Sequence, residues 1–163
     1  GVIGLAGPYD FLPLDNDNEE DAFGEARSLA ATQPVRFARR NAPPMLLATG
    51  FQDETVDREN SKALYDALAA KGARARHAVF NDMGHNGILM TLAQPFGNDR
   101  YGDTRVKDAV IEFLQERVHE AARERVRTER RAREARALRD ETREAADEDA
   151  AAQASGDIQP TGG

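Results

Sequence analysis

The chain has 163 residues, 31% of them charged, with a formal net charge of -7 and no cysteine. That charge opposes nonspecific adhesion to nucleic acid or anionic membrane, which needs clustered positive groups; the missing cysteines exclude a disulfide framework, a thiolate nucleophile and a Cys-based zinc site. No apolar run approaches the roughly 20 residues of a membrane-spanning helix, and the absence of cysteine fits a reducing cytoplasm.

Val2 to Leu5 is short and aliphatic and is followed by Gly7-Pro8, which predicts a buried strand with a sharp exit. Residues 10–44 are irregular: an acidic segment from Asp15 to Asp21, a short helical stretch near Glu25 to Ala31, then Thr32-Gln33-Pro34 and Asn41-Ala42-Pro43-Pro44. This reads as a cap-like insertion between two strands, and long loops of that kind are usually functional or mobile. Met45 to Thr49 is continuously apolar, as a parallel strand covered on both faces requires. Arg58 to Lys71 places Ala63, Leu64, Ala67 and Leu68 at helical spacing and stops at Lys71-Gly72. Arg74 to Phe80 predicts a further strand, and Asp103 to Val118, with Val106, Val110, Ile111 and Leu114 on one face, an amphipathic closing helix. Strand, crossover helix and strand in succession imply parallel pairing.

Large apolar residues nearly vanish after Val118. Residues 119–146 predict a charge-dense helix with i,i+3 and i,i+4 Glu/Arg neighbours, each pair worth about 0.2–0.5 kcal/mol; its stripe of Ala122, Val126, Ala132, Ala135 and Leu138 does not hold a heptad. Residues 147–163, rich in Ala, Asp and Gly, predict a disordered tail. The domain reading is therefore 1–118 as an α/β unit with its insertion at 10–44, then the helix, then the tail.

The chemistry concentrates at two strand ends. Met45-Leu46-Leu47-Ala48-Thr49-Gly50 runs into Asp53, and the strand ending at Phe80 runs into Asp82-Met83-Gly84-His85-Asn86. Both side chains would emerge at the C-terminal edge of a parallel sheet, where such sheets put their ligands. A carboxylate that orients an imidazole, and an imidazole that moves a proton, are two members of a hydrolytic triad. Glu54 and Asp57 compete with Asp53 as the acid but suit capping of the next helix. His77 falls within a strand and His119 on a polar helix, so neither is favoured as the base. No H-x-x-x-H or H-E-x-x-H spacing exists, so neither a metal nor a cofactor is expected. The third member is missing: Ser28, Ser61 and Ser155 do not sit in the G-x-S-x-G turn that carries a nucleophile. The chain starts inside an apolar run without methionine and reads as the C-terminal portion of a larger protein.

The residues Gly4-Leu5-Ala6-Gly7-Pro8-Tyr9-Asp10-Phe11, Pro44-Met45-Leu46-Leu47 leading to Gly50-x-x-Asp53-x-x-Val56, and Gly84-His85-Asn86 resemble the C-terminal half of the α/β-hydrolase esterase/lipase family. They are most similar to bacterial carboxylesterases of the acetyl-esterase, feruloyl-esterase-like and hormone-sensitive-lipase-like groups, over residues 1–118. The resemblance implies catalytic roles for Asp53 and His85, a serine nucleophile and oxyanion loop upstream, and a small-molecule ester substrate. It also implies that the Gly7-to-Phe11 turn shapes the acyl or alcohol pocket, with Tyr9, Phe11 and Asn86 as substrate-contacting residues; core packing is the competing reading for Tyr9 and Phe11. Alone, these residues are expected to be inactive and aggregation-prone, the first strand lacking neighbours. The alternative is a non-enzymatic hydrolase remnant that self-associates or binds a partner through its charged helix.

Overall fold

The computed structural model describes residues 1–93 and 104–156. The chain divides into two compact units, Gly1–Arg117 and Val118–Gly163.

The first unit is built on a parallel sheet of three strands in the order β1 (Val2–Leu5), β2 (Met45–Gly50) and β3 (Ala75–Phe80). Val2 pairs with Met45 and Met45 with Ala75, so the strands start level and deliver their C-terminal ends to one edge. β2 is central and buried from Leu46 to Gly50. Its alternating side chains feed opposite faces, which explains why the strand is apolar throughout. Ala48 joins Ala6, Phe80, Met83, Ile88 and Val106 on one face; Leu47 joins Leu64 and Leu68 on the other. β1 is paired along its length with β2, so the expectation of a first strand without any partner holds only for its outer edge.

Helix α2 (Glu59–Ala70) crosses over between β2 and β3 with Leu64 and Leu68 buried. It ends where Gly72 adopts φ +69°, while the amides of Gly72 and Ala73 return to the carbonyls of Ala69 and Leu68 at 2.9 and 3.0 Å. That left-handed closure is open to glycine at no steric cost. The chain leaves β1 through buried Ala6 at φ +46°, a conformation that costs an L-residue roughly 1–2 kcal/mol.

The insertion differs from its expected layout. Its α-helix is α1 (Asp17–Phe23), which starts in the acidic segment and runs two residues past it, and the stretch expected to be helical holds only the start of a 3-10 turn at Leu29–Thr32, followed by another at Pro34–Phe37. The acidic segment caps itself: Asn16 Oδ1 accepts from the Glu19 amide at 3.0 Å and Glu19 Oε2 from the Asp15 amide at 3.1 Å. This is a capping box shifted by one residue, with carboxylates in the first turn where the helix dipole favours them.

Helix α3 (His85–Ala93) starts at the candidate histidine. Helix α4 (Arg105–Gly156) is continuous, because no proline or internal glycine interrupts it; closing helix and charged helix, expected as separate pieces, are one element. Its expected first residue, Asp103, lies outside the described residues, as do residues 157–163 of the expected tail; residues 147–156, expected to be disordered, instead continue the helix, their run of Ala, Asp and Glu holding no proline and no glycine before Gly156. Val106 and Phe113 bury into the first unit. Within the second unit, side chains from Ala121 to Glu144 are all exposed. Among the described residues no helix is long and apolar enough to cross a membrane.

Candidate active site

Asp53 and His85 meet at the C-terminal edge of the sheet. Asp53 Oδ2 lies 3.0 Å from His85 Nδ1, with the carboxylate fully buried and the imidazole 22% exposed. The other carboxylate oxygen accepts the amides of Thr55 and Val56 at 2.9 and 2.8 Å. Both oxygens of the buried carboxylate thus have hydrogen-bond partners. A carboxylate anion only accepts, so opposite one the Nδ1 position is the donor and Nε2 the free acceptor of a neutral imidazole.

Two glycines bring these loops together. A Cβ on Gly50 would stand 2.2 Å from the Met83 carbonyl oxygen, and one on Gly84 would stand 3.1 Å from the Gln52 carbonyl oxygen. The β2 and β3 loops therefore touch backbone to backbone, stitched by Phe51 N–H to Phe80 O at 2.9 Å and Gln52 N–H to Met83 O at 3.0 Å. Gly87 differs: a Cβ there would meet the Met83 side chain at an ordinary 3.4 Å. Arg58 braces the outside of the acid loop, its guanidinium 4.0 Å above the Phe51 ring and bonded to the Phe51 carbonyl at 3.2 Å.

The competing acids lie elsewhere. Glu54 is exposed, and Asp57 Oδ1 accepts the Glu59 amide at 2.9 Å, capping α2. His77 stacks on Tyr65 with ring centroids 5.8 Å apart, and its buried Nε2 has no hydrogen-bond partner. Desolvation lowers its pKa. His119 is exposed on α4. Ser28 precedes the 3-10 turn at Leu29–Thr32 and Ser61 is buried in α2; the hydrogen bond of His85 is the one to Asp53. Among the described residues no group of three or more His, Cys, Asp or Glu is arranged to hold a metal ion.

Of the three candidate substrate contacts, the structure puts Tyr9 against the Leu47, Leu64 and Leu68 cluster, where burial raises its hydroxyl pKa. Phe11 packs on Phe23 at 5.1 Å, and Asn86 is exposed in the first turn of α3, next to His85. The turn that carries Tyr9 and Phe11 is pinned by two buried amides that sequence reasoning did not single out. Asn60 Oδ1 accepts the amides of Tyr9 and Asp10 at 2.9 and 2.7 Å, and Gln33 Oε1 accepts the Phe11 amide at 2.7 Å. The signal for Asn60 was its place in the buried stripe of α2, four residues before Leu64 and eight before Leu68.

A family model described as the prolyl oligopeptidase family matches residues 9–120. No curated protein matches the chain. Among solved structures it is similar to the carboxylesterase Cest-2923 from Lactobacillus plantarum WCFS1, with 19% identity and a TM-score of 0.55 over 71% of this chain and 43% of that one. It is also similar to esterase 2 from Thermogutta terrifontis, in the apo form (21% identity, TM-score 0.52) and bound to propionate (21%, 0.50), each over 71% of this chain and 41% of the esterase. These likenesses establish the α/β-hydrolase fold that the sequence predicts. The chain spans about two fifths of the length of the esterases it matches.

Proposed function

We infer the chemistry of this chain, which belongs to the prolyl oligopeptidase family, from its paired carboxylate and imidazole, and propose that Asp53 and His85 are the acid and base of a serine hydrolase that cleaves carboxylic esters of small molecules. The observation that carries this reading is the 3.0 Å contact between Asp53 Oδ2 and His85 Nδ1. In this role His85 Nε2 removes the proton of an attacking hydroxyl and returns it to the leaving alcohol. Asp53 keeps the proton on Nδ1, holds the ring in place and stabilises the imidazolium without itself becoming protonated.

The nucleophile and the donors of the oxyanion hole are proposed to come from outside these 163 residues, because no serine here stands in a nucleophile turn. Loss of either group costs orders of magnitude in rate, so the chain on its own should not turn over an ester. The competing reading, a remnant that serves as an interaction module, is favoured by the exposed charged helix of the second unit.

The test uses the polypeptide that contains these residues together with the nucleophile. His85→Ala should lower kcat on a p-nitrophenyl ester by at least ~10³-fold. Asp53→Asn should be similarly severe, because an amide favours the wrong imidazole tautomer, whereas Asp57→Asn should remain close to wild type. Retention of a tenth of the activity by His85→Ala removes His85 from the mechanism. Absence of any turnover in the wild type favours the remnant, and a prolyl anilide cleaved in preference to the ester makes the substrate an amide.

A further inference from the structure

The second unit carries its charge in two blocks. Residues 123–139 hold eight arginines against three glutamates, a net charge of +5, and residues 140–149 hold six carboxylates against one arginine, a net charge of -5. Local ion pairs do not remove this division. Arg127–Glu124 at 4.0 Å and Arg130–Glu134 at 3.2 Å lie within the basic block, and Arg143–Asp147 at 3.9 Å lies within the acidic one. The described side chains between 121 and 144, and those of residues 146 and 147, are exposed, so the basic block and the described carboxylates of the acidic one, Asp140, Glu141, Glu144 and Asp147, face water.

A helix basic in one stretch and equally acidic in the next is complementary to itself when reversed. We propose that this stretch of α4 docks a second copy of the same chain as an antiparallel pair, the basic block of each copy lying against the acidic block of the other. At about 1.5 Å rise per residue the two blocks are roughly 25 and 15 Å long. Centring one on the other puts the two-fold axis close to Leu138, whose side chain is 65% exposed. The one bulky aliphatic residue of the arginine-rich stretch beyond Val126 thereby faces its own symmetry mate, as an isologous contact requires. A parallel pair in register would set like charge on like charge along the whole length and is disfavoured. The pairing is electrostatic rather than a knobs-into-holes seam, since no heptad is sustained.

The test uses the whole chain in analytical ultracentrifugation. A dimer is expected at about 100 µM and low ionic strength, its dissociation constant weakening at least ~10-fold between about 50 and 500 mM salt as the Debye length contracts. Replacing Arg130, Arg131 and Arg133 together by Glu should weaken it to a similar degree, with helix content by circular dichroism unchanged. Because the chain has no native cysteine, Leu138→Cys should form an intermolecular disulfide under mild oxidation while Val126→Cys should not. A monomer at low salt, a dimer indifferent to salt and to the triple reversal, or equal cross-linking at both positions would each overturn the proposal.

Discussion

Leu47 and Leu138 are the same residue with opposite fates: one is 1% exposed in the middle of β2, the other 65% exposed on α4. Around Leu47 the chain gains from apolar area removed from water, at about 25 cal/mol per Å². Around Leu138 it gains from helical hydrogen bonds, added one per residue once the helix is nucleated, and from local ion pairs worth about 0–1 kcal/mol each. The difference teaches that helix or strand propensity says little about where stability resides. What matters is whether a neighbour covers the side chain, and the sharp loss of large apolar residues after Val118 marks where that cover stops.

Truncating a side chain in each region breaks the comparison most directly. Leu47→Ala should destabilise the first unit by about 2–5 kcal/mol, read as a lowered melting temperature. Gly50→Ala follows at roughly 1–3 kcal/mol, since a Cβ cannot fit against the Met83 carbonyl without separating the two loops; the loss of order should appear as a changed His85 ring resonance in NMR. Then comes the pH dependence of the first unit. His77 is held neutral by burial, so its folded pKa lies below the unfolded value near 6.5. Below the unfolded pKa the unfolded chain binds a proton that the folded chain resists, and stability should fall as pH drops from 7 towards 5. His77→Gln should flatten that slope in urea denaturation. The smallest effect is expected from Val126→Ala, within about 0.5 kcal/mol, because the side chain it shortens is already in water. A Val126→Ala loss approaching that of Leu47→Ala would erase the distinction.

The three strands and α2 were legible because each is a short apolar or periodic run ended by a turn residue: glycine or proline after β1, β2 and α2, and Asn81-Asp82 after β3. The insertion was less so. Its helix is written in acids capped by Asn16, a signal of termini rather than of periodicity, and reading for apolar spacing shifts the helix towards Glu25 to Ala31. Helix α3 was hidden for the opposite reason: the Gly84-His85-Asn86 start reads as loop, and only the apolar run from Ile88 onward speaks for a helix. Asp53 and His85 could be singled out because position after a strand fixes the sheet edge to which a side chain is delivered. Gln33 could not, since a buried amide and a surface amide are written with the same letter, and Asn60 was marked only by its spacing from Leu64 and Leu68. Where Tyr9 lies was equally open, because a tyrosine serves a core or a pocket with the same ring.

The Asp53 to His85 bond joins residues 32 positions apart, and the features that align them, the register of β2 on β3, the crossover α2 and the abutting Gly50 and Met83, all lie between Met45 and His85. Closing so short a segment costs little chain entropy compared with joining distant parts of a large domain. The pair and its alignment thus reside in one contiguous segment of chain. Any exchange of segments that takes Met45 to His85 whole carries Asp53 and His85 across together with the strands and helix that set them 3.0 Å apart.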